Sequence, residues 1–133
     1  MRLWHKDIIR FLPKGQLVSQ WKELGSIYKN QNKHILINYI YDYPKSYLYT
    51  YSQLVIDEFS RRGYEIKKWD NYNTYFENCH EVNYDLSFDE QDDEYFEICY
   101  WNLKEKYIRG QKEFSKEEWD RIENYRRKRN ERV

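Results

Sequence analysis

The sequence of 133 residues is poor in cysteine, proline and glycine, with two, two and four residues respectively. The two cysteines, Cys79 and Cys99, are too few for a disulfide framework, and their spacing matches no metal-binding motif. The four glycines are scattered, which excludes a glycine-rich loop that binds phosphate through its backbone. With so little proline and glycine, the composition is neither collagen-like nor of low complexity.

Long apolar runs are missing as well. No stretch approaches the ~20 apolar residues that a membrane-spanning helix needs, and the N-terminus lacks the apolar segment and cleavage site of a secretory signal. We therefore expect a cytoplasmic protein without membrane attachment, with both cysteines reduced. Aromatic residues make up 20% of the chain and charged residues 35%, which excludes a disordered protein. The length predicts one domain over residues 1–133.

Charge is balanced overall but unevenly distributed. The sequence has 23 basic and 23 acidic residues, which excludes a uniformly basic nucleic-acid-binding protein. Residues 1–70 carry 12 basic and 7 acidic side chains, residues 71–99 carry 9 acidic and no basic ones, and residues 100–133 carry 11 basic and 7 acidic ones. The two basic regions can attract phosphate groups over about one Debye length, whereas the acidic region should face away from a nucleic acid.

Apolar spacing predicts the first two helices. The first begins near Leu12-Pro13, because proline suits the first turn of a helix. Its apolar stripe consists of Leu17, Trp21, Leu24 and Tyr28. The second runs from about Pro44 to Arg62, with Gly63 as its stop. Its core face consists of Leu48, Tyr51, Val55 and Phe59. The tyrosines at 47, 49 and 51 also alternate like a strand, which leaves the start of this helix open.

The third and fourth helices are predicted from their first turns. Ser87-Phe88-Asp89-Glu90 and Ser115-Lys116-Glu117-Glu118 both have the capping-box pattern. We expect the third helix to run from Ser87 to Gly110, with acidic first turns and basic last turns, as the helix dipole favours. Trp119 and Ile122 can anchor the fourth helix. Residues 126–133 are expected to form a frayed basic tail.

Two connecting segments lack a helical pattern. Residues 35–41 are expected to form a short strand or an extended connection, and residues 69–86 the longest loop. The sequence thus predicts a compact, mainly α bundle of three to four helices in a single domain.

The first 34 residues contain the candidate chemical groups. Arg2 stands beside the N-terminal amine of Met1, and Glu23 shares a polar helical stripe with Gln16 and Gln20. An α-amine has an unperturbed pKa of about 8, so part of it is neutral at neutral pH and can attack an electrophilic carbon. A nearby carboxylate can move protons and stabilise a developing cation. A solvated position on a helix surface is the simpler interpretation of Glu23.

No metal-binding motif is complete. His80-Glu81 begins like a zinc-protease motif, but residue 84 is Tyr where the second His would stand. A metal site made of Cys79, His80 and Cys99 is an alternative to two packed cysteines near a loop His. Packed cysteines are the interpretation that we favour, so we expect no metal at these residues.

Three segments resemble blocks of one known family. The opening MRLWHKDIIRFLPKGQLVSQWKEL is similar to a bacterial N-terminus that begins Met-Arg-Leu-Trp-His. Asn32-Lys33-His34 with Ile37-Asn38-Tyr39 resembles the next block, and Tyr51 to Tyr64 resembles a second-helix block in which a Glu precedes an Arg-Gly-aromatic ending. The family is that of the pyrimidine-dimer DNA glycosylases, also called the phage-type endonuclease V family. The resemblance covers about residues 1–65.

This resemblance implies a compact helical protein whose extended N-terminal segment reaches the active site between helices. Family members cut the glycosidic bond of a damaged pyrimidine with the N-terminal α-amine, form an imine with the sugar C1′, and break the strand by β-elimination (AP lyase activity). By position, the resemblance implies catalytic roles for Met1 and Glu23. It implies DNA-binding roles for Arg2, Gln16, Gln20, Lys22, Lys33 and His34. The implied partner is double-stranded DNA with damaged pyrimidines, and the resemblance implies that no metal or cofactor is needed. We expect a monomer.

The sequence departs from the family pattern at several positions. The best-known phage enzyme exposes a Thr amine after its initiator Met is removed, whereas the bulky Arg2 generally prevents Met removal and shifts the amine by one position. Gln16 stands where that enzyme has a His, and Ser26 where a DNA-contacting Arg is expected. Because the net charge is zero, weaker or more salt-sensitive DNA binding should follow.

Two other functions are therefore considered. One is a catalytically silent protein of the same fold that binds a nucleotide or nucleic acid. The other is a protein-interaction module with an exposed tyrosine surface and an acidic helix.

Overall fold

Seven helical segments form the regular structure in the computed structural model, which describes residues 1–131. In chain order they are a first 3-10 helix at Lys6–Phe11, α1 at Lys14–Asn30, a second 3-10 helix at Asn38–Asp42, α2 at Lys45–Arg61, α3 at Asp70–Tyr75, α4 at Asp93–Ile108 and α5 at Lys116–Asn130. No strand occurs among these 131 residues. The predicted mainly α class is confirmed.

The two longest helices, α1 and α2, form as the apolar spacing predicts. Pro13 and Pro44 stand directly before their first turns, where the missing proline N–H is not needed. Both predicted apolar stripes are buried. Gly63, with a φ of 74°, follows α2 in the left-handed conformation that glycine adopts without strain. The strand interpretation of residues 47–51 is wrong, because they lie within α2.

The short helix α3 lies inside the expected loop 69–86, so that prediction is wrong for this part. No side chain caps α3. The ring of Tyr72 packs on those of Trp21 and Tyr28 in α1, with centroids 6.0 and 5.9 Å apart. Phe76, which follows α3, is buried. A helix of six residues is unstable alone, so packing against α1 stabilises it.

Residues 35–41 are not extended, contrary to the expectation. They form a turn that leads into the second 3-10 helix. Ile37 and Ile40 are both buried, because side chains three residues apart lie on one face of a 3-10 helix.

α4 begins after the capping-box pattern at residues 87–90 and not within it. Asp92 caps the helix instead, since its Oδ1 accepts a hydrogen bond from the N–H of Tyr95 at 2.9 Å. Phe88 is buried against three tyrosine rings, and the following turn buries the side chain of Gln91. Burial of a Phe stabilises by about 2 kcal/mol or more, whereas a helix cap contributes about 1 kcal/mol.

α5 begins as predicted. The Oγ of Ser115 accepts a hydrogen bond from the N–H of Glu118 at 3.1 Å, which is the expected cap. Trp119 and Ile122 are buried and anchor the helix in the core.

Residues 126–130 of the expected tail continue α5 in the structure. Arg126 donates to both carboxylate oxygens of Glu97 on α4, at 2.7 and 2.8 Å. Arg129 forms ion pairs with Asp7 in the first 3-10 helix and with the first residue of α4. These charge-assisted hydrogen bonds hold the last turns of α5 in place. Residues 132–133 of the expected tail lie outside the described residues.

The buried side chains form one contiguous core to which both 3-10 helices and α1, α2, α4 and α5 contribute. Leu3 and Trp4 belong to this core, so the chain start is enclosed by helices. No helix within the described residues is long and apolar enough to cross a membrane.

Candidate active site

Residues 1–5 form the N-terminal segment, which is held in place by side chains rather than by a helix or sheet. Gln20, fully buried on α1, makes two of these contacts and connects the segment to Tyr51 and Glu23. Its Oε1 accepts from the N–H of Trp4 at 2.8 Å and from the hydroxyl of Tyr51 at 2.9 Å. Its Nε2 donates to the carbonyl of Arg2 at 3.1 Å and to Oε2 of Glu23 at 3.3 Å. All four hydrogen-bonding positions of the amide are used.

Side chains from the second half of the chain hold the same segment. The hydroxyl of Tyr95 donates to the carbonyl of Leu3 at 2.6 Å. The Sγ of Cys99 accepts from the N–H of His5 at 3.4 Å. The side-chain amide of Gln91 accepts from the N–H of Lys6 at 2.9 Å and donates to the carbonyl of Trp4 at 3.4 Å. Burial raises the pKa of the Tyr95 hydroxyl and of the Cys99 thiol, so both remain protonated near neutral pH.

We call the five side chains that bind the N-terminal segment the clamp: Gln20, Tyr51, Gln91, Tyr95 and Cys99. They come from α1, α2, α4 and the turn before α4. An extended chain has main-chain groups without internal partners, and buried groups of this kind need hydrogen bonds. The clamp supplies these bonds and thereby fixes where the chain begins.

The carboxylate of Glu23 feels the charge of the N-terminal amine but, within the described residues, forms no direct ion pair with it. Half burial raises the pKa of Glu23, while the positive charges of the amine and of Arg2 act in the opposite direction. Both cationic groups therefore lie within electrostatic range of the carboxylate. We refer to the Met1 amine, Arg2 and Glu23 as the Met1–Glu23 cluster.

Arg2 is half-buried and faces more than one group. Its guanidinium carbon lies 5.8 Å from the centroid of the Trp4 ring, which favours a cation. Its charge also reaches Tyr95 and Cys99 of the clamp, where it lowers the pKa of each against the larger effect of burial.

The Met1–Glu23 cluster combines a primary amine with one carboxylate. A primary amine can form an imine with an electrophilic sugar carbon. A carboxylate whose pKa is raised can accept and return protons, and in its charged form it stabilises a cation.

The alternative metal site is not formed. Within residues 1–131 no group of three or more His, Cys, Asp or Glu could hold a metal ion. Cys99 is buried at the N-terminal segment, whereas His80 is exposed and bonds to the carbonyl of Glu77.

His5 has a structural role in the N-terminal segment. It is 1% exposed, and its Nδ1 accepts from the N–H of Asp7 at 3.1 Å, which caps the first 3-10 helix. Burial lowers the pKa of His5 to about 4, so the ring is neutral at neutral pH.

Of the expected DNA-binding residues, two more lie on α1. Gln16 is half-buried and its Oε1 accepts from Nε2 of Gln111 at 2.7 Å. Lys22 is exposed and lines a cavity of about 500 Å³ together with Lys67 and Lys68. Lys67 and Lys68 were not among the expected site residues, because only the fold brings them next to Lys22.

Lys33 and His34 lie in the exposed turn after α1. The N–H of His34 donates to Oδ1 of Asn38 at 2.7 Å, and its Nδ1 accepts from the N–H of Leu36 at 3.2 Å. Among the described residues, Lys33 and His34 make no hydrogen bond or ion pair with the Met1–Glu23 cluster. A DNA contact for both stays a prediction.

Gln20 differs from the other expected DNA-binding residues because it has no exposed surface. Its amide is fully used within the clamp, so the structure gives it a positioning role. A direct contact with DNA would require this side chain to leave the clamp.

The comparisons with known proteins bear on the first half of the chain. A family model described as pyrimidine dimer DNA glycosylase matches residues 1–71, which is more than half of the sequence. The chain belongs to this family. No curated protein and no solved structure matches it.

Membership of the family supports a role in DNA repair as a glycosylase, with DNA that carries pyrimidine dimers as the substrate. The matched residues include the Met1–Glu23 cluster and the clamp residues Gln20 and Tyr51. The remaining clamp residues, Gln91, Tyr95 and Cys99, lie outside the match, so the second half of the chain supplies this part of the clamp.

Proposed function

We propose that this protein removes damaged pyrimidines, pyrimidine dimers in particular, and cleaves the strand at the resulting site through an imine with the Met1 amine. The observation that carries the proposal is the carboxylate of Glu23 within electrostatic range of an N-terminal amine whose segment is fixed by the clamp. Orientation of this kind can lower a barrier substantially, because the reacting groups need no further ordering.

In the first step, the lone pair of the Met1 amine attacks the sugar C1′ of the damaged nucleotide. The bond from C1′ to the base breaks, and the base leaves with the electron pair and takes up a proton. The ring oxygen then leaves C1′ with its electron pair and takes up the proton that Glu23 has accepted from the amine, which opens the sugar and leaves a protonated imine between the amine nitrogen and C1′. Glu23 accepts a proton lost by the amine and, as a carboxylate, stabilises the positive charge on the sugar.

In the second step, Glu23 removes a proton from C2′ of the opened sugar. The electron pair forms a C2′–C3′ double bond and expels the 3′ phosphate, which is β-elimination. The imine makes this proton acidic, since its positive charge withdraws electrons. Water then hydrolyses the imine and frees the amine.

The remaining expected site residues are assigned to DNA binding. The exposed side chains of Lys22, Lys33 and His34 can contact phosphates, which supply most of the affinity for DNA. Arg2, within the Met1–Glu23 cluster, can hold a phosphate next to the reacting sugar, and Gln16 can add a polar contact.

Reduction with borohydride tests the imine directly. The protein with its native N-terminus is incubated with a duplex that carries one abasic site or one cis-syn pyrimidine dimer, and the reduced product is mapped by mass spectrometry. We expect a crosslink on the Met1 amine with both substrates. A crosslink with the abasic duplex alone overturns the glycosylase step, and a crosslink on a lysine overturns the assignment of Met1.

Two variants and an extension serve as controls. Glu23→Gln should lower the trapping rate by about 10²-fold or more, as is usual for loss of a general acid–base group. Glu65→Gln, which alters an exposed glutamate outside the cluster, should leave it unchanged. Two residues added before Met1 should abolish trapping, because each moves the amine by about 3.3 Å. Equal rates for both Glu variants contradict the role of Glu23.

A catalytically silent protein on the same fold is the second candidate, favoured by the zero net charge and by Arg2, which keeps Met1 in place. It predicts a thermal shift with nucleotides and no crosslink with either duplex. The protein-interaction alternative expected an exposed tyrosine surface, which is wrong. Of the 15 tyrosines, only Tyr84 is exposed, because the other rings pack into the core or against one another.

A further inference from the structure

A second basic groove lies between the first 3-10 helix, the end of α2 and α5. Its volume is about 820 Å³. Five cationic side chains line it: Arg10, Arg61, Arg62, Arg121 and Lys128. None of the lining residues belongs to the Met1–Glu23 cluster or to the clamp, so we call it the α5 groove and treat it as a separate site.

Two of these cations, Arg61 and Arg62, are already bound to other residues at the edge of the groove. Arg61 and Arg62 both form ion pairs with Glu58, which is 6% exposed. The guanidinium of Arg62 also donates to the carbonyl of Arg10 at 3.1 Å. These contacts join α2 to the first 3-10 helix and use part of the positive charge.

The other three cations, Arg10, Arg121 and Lys128, make no ion pair within residues 1–131. The guanidinium carbon of Arg10 lies over the rings of Phe11 and Tyr125, 4.7 and 4.4 Å from their centroids. Contact with ring faces orients a guanidinium without neutralising its charge. Arg10 is therefore presented to the groove in a fixed place and with its N–H groups free for an oxyanion.

Spacing on α5 extends the positive charge along the groove. Arg121 and Lys128 are seven residues apart, which is two helical turns and about 10 Å along the axis. The acidic lining residues Glu117 and Glu118 lie in the first turn of α5, one turn before Arg121, where the helix dipole favours them. An anion would therefore lie towards Arg10 and Lys128, the part of the groove furthest from these carboxylates, with Arg121 between.

We propose that the α5 groove binds the phosphodiester backbone of DNA at a site outside the catalytic cluster. Cations spread over about 10 Å match a polyanion better than a single phosphate ion, since each DNA strand carries a charge every ~3.4 Å along the axis. Guanidinium groups also bind phosphate oxygens in a two-pronged geometry. The groove would hold undamaged DNA next to, or remote from, the lesion.

Charge-matched double variants of α5 test this proposal. Arg121→Ala with Lys128→Ala removes two charges from the groove. Lys116→Ala with Arg127→Ala removes two charges from the same helix at exposed positions that do not line the groove. Alanine has the highest helix propensity, so both variants should keep α5, and circular dichroism checks this.

Binding of an undamaged 30-base-pair duplex and of a single strand of the same length is measured by fluorescence anisotropy across a range of salt concentrations. For the groove variant, the negative slope of log K against log salt concentration should become less steep, by about 1.8 with duplex or about 1.4 with single strand. This is the effect of two lost phosphate contacts. If the slope changes with only one of the two DNA substrates, that substrate is the one that binds in the groove. The control variant should change little.

Several results would overturn the proposal. If DNA affinity falls equally in the two double variants, only the overall charge of the protein matters for binding. An unchanged slope in the groove variant means that DNA does not use the groove, and a polyglutamate peptide that competes as well as DNA means that the site prefers an acidic peptide. Glu117→Gln, which removes a repelling charge, should strengthen binding, and weaker binding contradicts the placement of the phosphate.

The test does not depend on the chemistry of the Met1–Glu23 cluster. Binding to undamaged DNA needs no imine, so the α5 groove can be confirmed when trapping fails. Conversely, the groove variant should still form the Met1 imine at saturating abasic duplex, which separates a defect in binding from a defect in catalysis.

Discussion

Replacing Gln20 by methionine removes the amide of the clamp while it keeps the length of the side chain. The N–H of Trp4 and the carbonyl of Arg2 then lose their partners, whereas the hydroxyl of Tyr51 keeps its bond to the carbonyl of Trp4 at 2.7 Å. Each unsatisfied buried group costs about 1–3 kcal/mol. Because Arg2 is half-buried and water can reach it, we expect a total loss of about 2–4 kcal/mol in the free energy of unfolding.

The matched control is Gln16→Met, on the same polar stripe one turn earlier. Gln16 is half-buried and bonds only to another side chain, that of Gln111, so a change within about 0.5–1 kcal/mol is expected. Urea denaturation followed by circular dichroism measures both variants. For a chain of this size, Gln20→Met should also lower Tm by about 6–15 °C.

Catalysis provides the second readout for Gln20→Met. If the clamp positions the amine, the rate of imine trapping should fall further than the folded fraction does, since a displacement of about 1 Å can cost about 10²-fold. Equal stability of Gln20→Met and Gln16→Met, or an unchanged trapping rate in a folded Gln20→Met protein, would refute the positioning role of the clamp.

Three further predictions concern the same region. Because burial raises the pKa of Glu23, the acid limb of the trapping rate should lie above pH 4.5, the usual value, and it should disappear in Glu23→Gln. Burial lowers the pKa of His5 from 6.5 to about 4, so its stabilising effect is present above pH 6.5 and is lost as the pH falls towards 4. Between pH 7.5 and 5 the protein should lose about 2 kcal/mol of unfolding free energy that the non-titrating His5→Asn variant keeps, and equal urea-denaturation losses would contradict this. Tyr95→Phe leaves the carbonyl of Leu3 without its donor and should cost about 1–2 kcal/mol and slow trapping, whereas Tyr107→Phe, on the same helix, should slow trapping little.

The elements that could be predicted are those with local signals. α1 and α2 have apolar stripes and prolines at their starts, and α5 has a serine cap, so a few neighbouring residues determine each of them. α3 and the start of α4 could not be predicted this way. Tyr72 and Phe88 are ordered by contacts with residues far away in the chain, and these contacts outweigh the local pattern.

The candidate site also has one part that the local sequence pattern predicts and one part that it does not predict. The polar stripe of Gln16, Gln20 and Glu23 is readable from helical spacing. The three clamp residues outside the family match, Gln91, Tyr95 and Cys99, lie 85 to 94 residues from the main-chain groups that they bind. No periodicity relates positions so far apart. Tyr95 and Cys99 are four residues apart on one face of α4, which indicates a shared environment but does not identify it.

The sequence by itself determined the helical class, the first two long helices, the cap of α5 and the polar stripe that contains Glu23. It also contained the family resemblance, which the match over residues 1–71 confirms. Only the tertiary structure decided where the chain start lies, which side chains hold it, and which unpaired cations share the α5 groove. Helical periodicity is a property of neighbouring residues, whereas a buried main-chain group takes its partner from whichever side chain the packing of the core brings within hydrogen-bond distance.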